Sequence, residues 1–568
     1  MARSRKFDAL RRALRLTRVA EERQLSTPSA RALRDEHESA ARSTLSRRLF
    51  LGGAAAGAGV MLGVVPRARA AGKYATNARI AILGGGLAGL ACADALRAQG
   101  VTATIYEAHA SRVGGRVYSN RSFGAQVAEN GGELIDNQHK LMLGYAQELG
   151  LAREDLVKAP GETAYRFFGQ SWSEEDVVDQ MRELVARMRP DLQALSAAPS
   201  FFNHSASDVL LDHTSLEEYL STRGPDLPLA TAAMKEAYIA EYGREPSEQS
   251  CLNMLLFFHL DRRSSFDPFA TSDERFHLVG GNDAIASGIA DRLPGPIVHG
   301  ARITRIRKNA FGQYALTLSG STVEELADAL VIALPFSVLR TIVLDPSLGL
   351  SPDQLRAIND LGYGYNAKTM IQFDSRPWAT LYGSNGTVYS DLPNVQNVWE
   401  TNYTLAGPTA ILTDYSGGTR GQALQYPVVT PPGGGSPITG CSTCHIGSPS
   451  AKVIDPAVVQ GQVEAFLTDL DQVYPGVKAA ASRSVDGAYK AHFAHWLRQS
   501  TSRGSYTCYL PGQFTSICGL ESVPAGLMKF AGEHADSFYN YQGFMEGALT
   551  SGIRAAGELL ADIQAGRL

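Results

Sequence analysis

Basic residues are thin over most of this chain. Its 568 residues carry 53 Lys/Arg and 57 Asp/Glu, a formal net charge of −4. Residues 1–70 hold 15 of the basic residues against 6 acids, a net of +9. Residues 71–568 are left with 38 against 51, a net of −13. A body this acidic lacks the clustered Lys/Arg that phosphate backbones demand, so nucleic acid is excluded as a partner. Charged residues are sparse at 19%, but 44% of the chain is hydrophobic, which excludes disorder and fits a globular protein. At this length two or more domains are expected. Cysteine is also scarce, limited to Cys92, Cys251, Cys441, Cys444, Cys508 and Cys518. An oxidising compartment would permit a Cys508–Cys518 bridge, although spacing does not choose among pairings.

Methionine is missing between Met1 and Met61, so a later start does not explain the long basic stretch ahead of Arg47. Ser46-Arg47-Arg48-Leu49-Phe50-Leu51 has the twin-arginine form. An uncharged run of 17 residues follows, Leu49 to Val65, and Ala68-Arg69-Ala70 then supplies a small-x-small cleavage site. Read in order, residues 1–70 are an address for the twin-arginine export machinery, with a periplasmic or secreted destination. As a membrane-spanning helix, this Gly- and Ala-rich run is marginal. Twin-arginine export moves folded proteins, which suits a chain that captures a tightly bound cofactor first.

The chemistry starts just after this segment. Arg79 to Leu83 is a short apolar run, enough for a buried parallel strand. Gly84-Gly85-Gly86-Leu87-Ala88-Gly89 follows as G-x-G-x-x-G. Leu90 to Gln99 reads as a helix stopped by Gly100, and Val101 to Tyr106 as a second strand ending at Glu107. Gly84 permits the tight turn, Gly86 admits a pyrophosphate, and Gly89 lets helix pack on strand. The helix N-terminus offers free N–H groups to phosphate, which brings Leu87 and Ala88 of the motif into the cofactor site. Glu107 is placed to accept from ribose hydroxyls. Together these parts predict a dinucleotide site, which a lone glycine motif would not. Downstream, Arg112-Val113-Gly114-Gly115-Arg116 sets two guanidiniums around a glycine pair, suited to the pyrophosphate.

At this point the sequence resembles the flavin amine oxidase family, which includes monoamine, polyamine and L-amino-acid oxidases. The resemblance runs from about residue 78 to 562. It implies FAD, with Arg112, Gly115 and Arg116 in its site. Asn130-Gly131-Gly132-Glu133 is similar to the segment passing beside the flavin, which brings in Gly132 and Glu133. Leu278-Val279-Gly280-Gly281-Asn282 is similar to the return into the FAD domain. Val298 to Ile306 resembles the strand whose backbone holds the adenine, with Ile303 at the contacting position. Asp328 to Pro335 resembles a further family strand. The closing pair, Phe530-Ala531-Gly532-Glu533-His534 and Gly543-Phe544-Met545-Glu546-Gly547-Ala548, places Glu533 along the FAD chain. It also starts a helix near Met545 aimed at the flavin N1–C2=O edge, where a helix N-terminus favours the reduced anion. The implied fold class is α/β, a discontinuous Rossmann-like FAD-binding domain with an α+β substrate domain on a mixed sheet. The FAD domain takes 76–150, 272–345 and 500–563; the substrate domain takes 151–271 and 346–499.

The resemblance also names the reacting residues. Lys368, in the alternating stretch Gly364 to Phe373, matches the family lysine that reaches flavin N5 through a water, and burial would leave it neutral or labile. Tyr506 and Phe544 match the two aromatics that flank the amine before the flavin. Ser505 stands where monoamine oxidases carry the flavin-linked cysteine, so non-covalent FAD is expected. The implied reaction passes hydride from the amine α-carbon to flavin N5. The imine then hydrolyses, and oxygen or a periplasmic acceptor takes the electrons. Cys441-Ser442-Thr443-Cys444-His445 has the c-type haem pattern, but haem needs a pocket and a second axial ligand. The Pro/Gly-rich stretch Tyr426 to Pro449 is too short for both, which favours a local disulfide or free thiols.

Three rivals stay open. A C–C oxidase of the same superfamily would release no ammonia. An L-amino-acid oxidase typically carries an Arg near Glu133, where this chain has Glu133-Leu134-Ile135-Asp136. A non-catalytic flavin-binding electron relay would hold flavin without turning over amines. Oligomeric state is not legible, and a homodimer fits as well as a monomer. No metal ligand set is read. If the leader assignment holds, replacing both Arg47 and Arg48 with Lys leaves the protein in the cytoplasm with FAD bound; cell fractionation showing undiminished export would refute it.

Overall fold

Ile80-Ala81-Ile82-Leu83 has no polar face to offer water, and all four residues are buried. Such a run is stable only in the middle of a parallel sheet covered on both sides. In the computed structural model it occupies that place. The sheet has five strands in the order Met528–Phe530, Ala329–Ile332, Ile80–Leu83, Ala103–Glu107, Ile297–His299. Every adjacent pair is parallel. The structure describes residues 74, 76–156, 161–259, 274–401, 403–425, 456–536 and 541–568. The export segment and the Cys441–His445 motif lie outside these residues.

Two helices pack together over this sheet, Leu87–Arg97 and Met545–Gln564. Glycine sets how closely they approach. A Cβ at Gly89 would sit 2.0 Å from the Gly84 carbonyl oxygen, and one at Gly552 2.2 Å from that of Ala88. Only glycine permits either contact.

The strand expected over Val298–Ile306 is two strands. Ile297–His299 closes the parallel sheet. Gly300, at φ +72°, then turns the chain, and Ile303–Lys308 joins a separate four-stranded sheet.

The second large layer is a seven-stranded sheet. Its order is Ala491–His495, Ala367–Phe373, Ala410–Ser416, Asn397–Glu400, Ser384–Ser390, Glu162–Phe167, Gln170–Trp172. It is mixed: Ser384–Ser390 and Glu162–Phe167 run parallel, and the other pairs antiparallel. Side chains alternate across it. Ile371, Phe373, Val388, Val398 and Leu412 pack on one face with Val463, Phe466 and Leu467 of helix Pro456–Asp471. Lys368, Met370, Tyr415 and Trp399 belong to the other face. On that side lie helix Pro228–Tyr242 and the 21-residue helix Glu174–Ala194. The latter starts at a capping box, Ser173 with Asp176, and buries the helical stripe Val177, Met181, Leu184, Val185 and Met188. The observed fold class is thus α/β joined to a layer built on a mixed sheet. Among the described residues no helix is long and apolar enough to cross a membrane.

Candidate active site

A cavity of about 920 Å³, its mouth included, opens at the ends of the parallel strands. Gly84, Gly86, Leu87, Ala88, Glu107, Arg112, Gly115, Arg116, Glu533, Phe544 and Met545 all line it. Binding at the carboxyl ends of parallel strands is the general rule for open α/β sheets. The glycine turn leaves real room: a Cβ at Gly86 would meet only the Gly115 Cα, at 3.9 Å. That open backbone at a helix N-terminus is a cradle for a pyrophosphate. The Glu107 carboxylate is oriented in advance, accepting from Gly85 N at 2.7 Å and His109 N at 2.6 Å.

The two arginines divide their tasks. Arg112 curls over its own loop, with Nη1 2.9 Å from the Gly115 carbonyl oxygen and its guanidinium 4.4 Å above the Tyr118 ring. Arg116 reaches across the cavity. Its Nη1 donates to the Ser505 carbonyl at 2.7 Å and to Glu533 Oε1 at 2.9 Å. Glu533 Oε2 accepts from Gly543 N at 3.0 Å. Burial is the strongest single influence on Glu533 and opposes its carboxylate, but the charge and hydrogen bond of Arg116, acting with His534, hold the carboxyl below the ordinary glutamate range. Helix Met545–Gln564 begins beside it. Phe544 at its N-cap is extended and no side chain caps the helix, so its first N–H groups stay available at the cavity wall. Gly132 abuts this point, where a Cβ would lie 2.6 Å from Met545 Sδ.

Lys368 is buried and forms an ion pair. Its Nζ donates to Glu133 Oε2 at 2.7 Å, Glu129 O at 2.9 Å and Gly131 O at 3.1 Å. Three oxygen acceptors therefore surround Nζ, one of them a carboxylate. A water held by Nζ would take the place of one of these carbonyls. Glu133 is held from its other oxygen by Trp399 Nε1 at 2.9 Å. Its carboxylate is therefore turned to the lysine and the indole.

Tyr506 is buried in a cluster with Trp399, Tyr415 and Trp496. Its hydroxyl donates to the Glu241 carbonyl and accepts from Tyr415 at 3.2 Å. The Tyr506 ring passes 3.5 Å from where a Cβ at Gly543 would be, one residue from Phe544. Phe544 packs edge-on against His139, 5.1 Å between ring centres. Ser505 Oγ donates to Asn366 Oδ1 at 2.6 Å. Ile303 is buried but is not part of the cavity lining. Cys508 and Cys518 are both buried and are not bridged to each other, unlike the disulfide considered from sequence.

Several residues here carry no signal that the motifs revealed. Trp399 and Tyr415 sit on strands with no family pattern quoted for them. Glu129 accepts from Ser119 Oγ and Asn282 N, and burial pushes its carboxyl up to about 8. Asn282 Nδ2 clamps the carbonyls of Gly132 and Glu133 at 3.0 and 2.7 Å. The last residue of the Leu278–Asn282 motif was the available hint.

A family model described as flavin containing amine oxidoreductase matches residues 87–560. The chain belongs to this family. An L-amino-acid oxidase of Pseudechis australis is 21% identical over 501 residues, covering 84% of this chain and 86% of that protein. Polyamine oxidase 4 of Oryza sativa subsp. japonica is 23% identical over 517 residues, covering 86% and 89%. Two solved structures share the fold at 19% identity. Cyclohexylamine oxidase from Brevibacterium oxydans IH-35A has a TM-score of 0.68, covering 86% of this chain and 100% of that one. Putrescine oxidase bound to putrescine has a TM-score of 0.67, covering 85% and 99%. Membership implies a flavin cofactor, and the open Gly86 backbone and the oriented Glu107 fit the phosphate and ribose parts of FAD.

His534, beside this site, yields a pH prediction. It is buried against Phe336, 4.4 Å between ring centres, and neither ring nitrogen has a hydrogen-bond partner among the described residues. Burial chiefly, opposed by Glu533 and aided by Arg116, Arg554 and Arg340, lowers its pKa from 6.5 to about 4. Between those values the unfolded chain takes a proton that the folded protein refuses, so stability is lost as pH falls below about 6.5. Urea unfolding at pH 7 and pH 5 should show wild type losing about 2 kcal/mol more than His534→Phe over that step. Equal losses would refute the assignment.

Proposed function

We propose that this protein is an FAD-dependent amine oxidase, exported to the periplasm or secreted, that converts an amine to an imine. One observation carries the reading. The aromatic cluster of Tyr506 and the Lys368–Glu133 pair adjoin the Gly131–Gly132 turn and the Phe544–Met545 helix start, and that helix start lines the dinucleotide cavity. Bound FAD supplies the acceptor, at its N5, for the hydride of the amine α-carbon.

The protein then positions and polarises. Gly84, Gly86, Arg112 and Gly115 would hold the pyrophosphate region and Glu107 the ribose, while Gly89 packs the helix against the glycine turn. The uncapped N-terminus of helix Met545–Gln564 favours negative charge at the cavity wall, with about half a unit of positive charge. Tyr506 and Phe544 orient the amine between aromatic faces that also tolerate its ammonium form on entry. The nitrogen lone pair forms the C=N bond as the hydride leaves, and water hydrolyses the imine to a carbonyl compound and ammonia or a smaller amine. FAD is held without a covalent link, because Ser505 has no thiol and its hydroxyl is engaged by Asn366. Oxygen or a periplasmic carrier takes the electrons. The test is anaerobic mixing with a panel of amines and L-amino acids while the flavin absorbance is followed. Bleaching by amines with an imine or carbonyl product is expected; stoichiometric flavin that no panel member bleaches would sink the proposal.

Lys368 supplies a sharper test of roles. Lys368→Met should retain FAD, since the phosphate and ribose contacts lie elsewhere, and should still be reduced by amine. Reoxidation by oxygen should slow by about ten-fold or more, a loss of about 1.4 kcal/mol of barrier stabilisation. Removing the lysine also strands the buried Glu133 carboxylate, so melting temperature should fall, and Glu133→Gln in the same chain should recover it. Stopped-flow timing of the two half-reactions checks the first claim; reoxidation at the wild-type rate would show that Lys368 does not assist oxygen.

A further inference from the structure

The sheet face that carries Lys368 also carries a buried amide, that of Asn397. Strand Asn397–Glu400 pairs antiparallel with Ala410–Ser416 in the register Val398↔Asp414, Trp399↔Thr413. That register sets Asn397 opposite Tyr415, and on its other side Asn397 faces Tyr389. Alternation puts Asn397 on the same face as Trp399, two residues along the strand. The row therefore runs from Lys368 through Tyr415 to Asn397, with Trp399 beside it.

Asn397 is completely buried. Its main-chain N–H is fixed to Asp414 Oδ1 at 3.0 Å. Its side-chain amide has no hydrogen-bond partner at nitrogen or oxygen among the described residues. A buried amide with both ends unused is rare and calls for a bound group to complete it. The neighbours indicate what kind of group. Tyr415 is bonded to Tyr506, whose hydroxyl in turn meets the Glu241 carbonyl. Burial first of all keeps the Tyr415 phenol protonated; the Tyr506 contact opposes this, and the charges of Glu241 and Glu133 reinforce it. The nearby cations are each held by a carboxylate, Lys368 by Glu133 and Arg420 by Glu236. An incoming ammonium is favoured in such surroundings, and an incoming carboxylate is not.

We infer that Asn397 is a specificity-determining residue that accepts, through its amide oxygen, a hydrogen bond from a second and positively charged nitrogen of the substrate, making α,ω-diamines the preferred class. The inference rests on the amine-oxidase reading and narrows it.

The experiment uses FAD-loaded full-length protein and anaerobic stopped flow. Flavin reduction is measured with pentane-1,5-diamine and with pentylamine, and the ratio of their second-order rate constants is taken. Wild type should favour the diamine by about ten-fold or more, the usual worth of a hydrogen bond to a charged group. Asn397→Leu should lower the ratio towards one. Asn397→Asp, which keeps the shape and adds a negative charge, should raise it. Flavin content and melting temperature establish that each variant is folded, and the aspartate variant tests the idea even if the leucine variant misfolds. A wild-type ratio near one, or a ratio unmoved by either substitution, overturns the inference and assigns the amide to a buried water. Reduction by pentylamine with no diamine preference overturns it while leaving amine oxidation intact. Reduction by no amine overturns both.

Discussion

Arg116 joins segments that lie 389 and 417 residues further along the chain, at Ser505 and Glu533. Everything at the cavity depends on this reach. The loop that carries Arg116 follows the second parallel strand, Ser505 precedes the aromatic Tyr506, and Glu533 follows the last parallel strand. Glu533 then passes the constraint on, through its second oxygen, to the Gly543 N–H just ahead of the helix start. A pair this buried contributes little net stability when intact, because desolvation of both charges offsets their attraction. Loss of one partner costs about 3–5 kcal/mol, since the other charge is left without compensation. Its value is therefore in specifying geometry. It ties the start of the fold to its end at the point where a dinucleotide must be gripped.

The same logic explains which parts were legible beforehand. Gly84, Gly86 and Gly89 announce themselves because their role is local: each is fixed by sterics within a few residues of itself. Glu107 follows from its distance to that turn. The α/β class follows because a buried parallel strand and a helix leave different periodicities. Lys368 could be picked out by resemblance, but its partner could not. The Glu133–Lys368 pair spans 235 residues, and nothing in either local sequence states that the two meet. The sequence offered burial alone as a guide to this lysine, and the carboxylate that it meets becomes visible only in the fold. Ile303 shows the converse case. Resemblance gave Val298 to Ile306 as a single strand, and the positive φ of Gly300 splits it between two sheets. Trp399, Tyr415 and Asn282 acquire meaning only through register and long-range contact, which a single sequence does not display.

Charge around the cavity is arranged in two ways. Several side-chain charges are paired: Arg116 with Glu533 at the cavity, and Lys368 with Glu133 and Arg420 with Glu236 beyond its lining. Beside Arg112, the backbone adds a bias of its own at the starts of helices Leu87–Arg97 and Met545–Gln564. Backbone dipoles cannot swing away or take up protons, so they present a fixed field to an anion without reorganising when charge arrives. A side-chain cation in the same place would have to be desolvated and would attract a counterion of its own. Two open helix ends therefore favour negative charge at two defined points, the phosphates and the wall beside Met545. It also explains the density of glycine there. Backbone N–H groups can act at contact distance only where no Cβ intervenes, and at Gly86 none does.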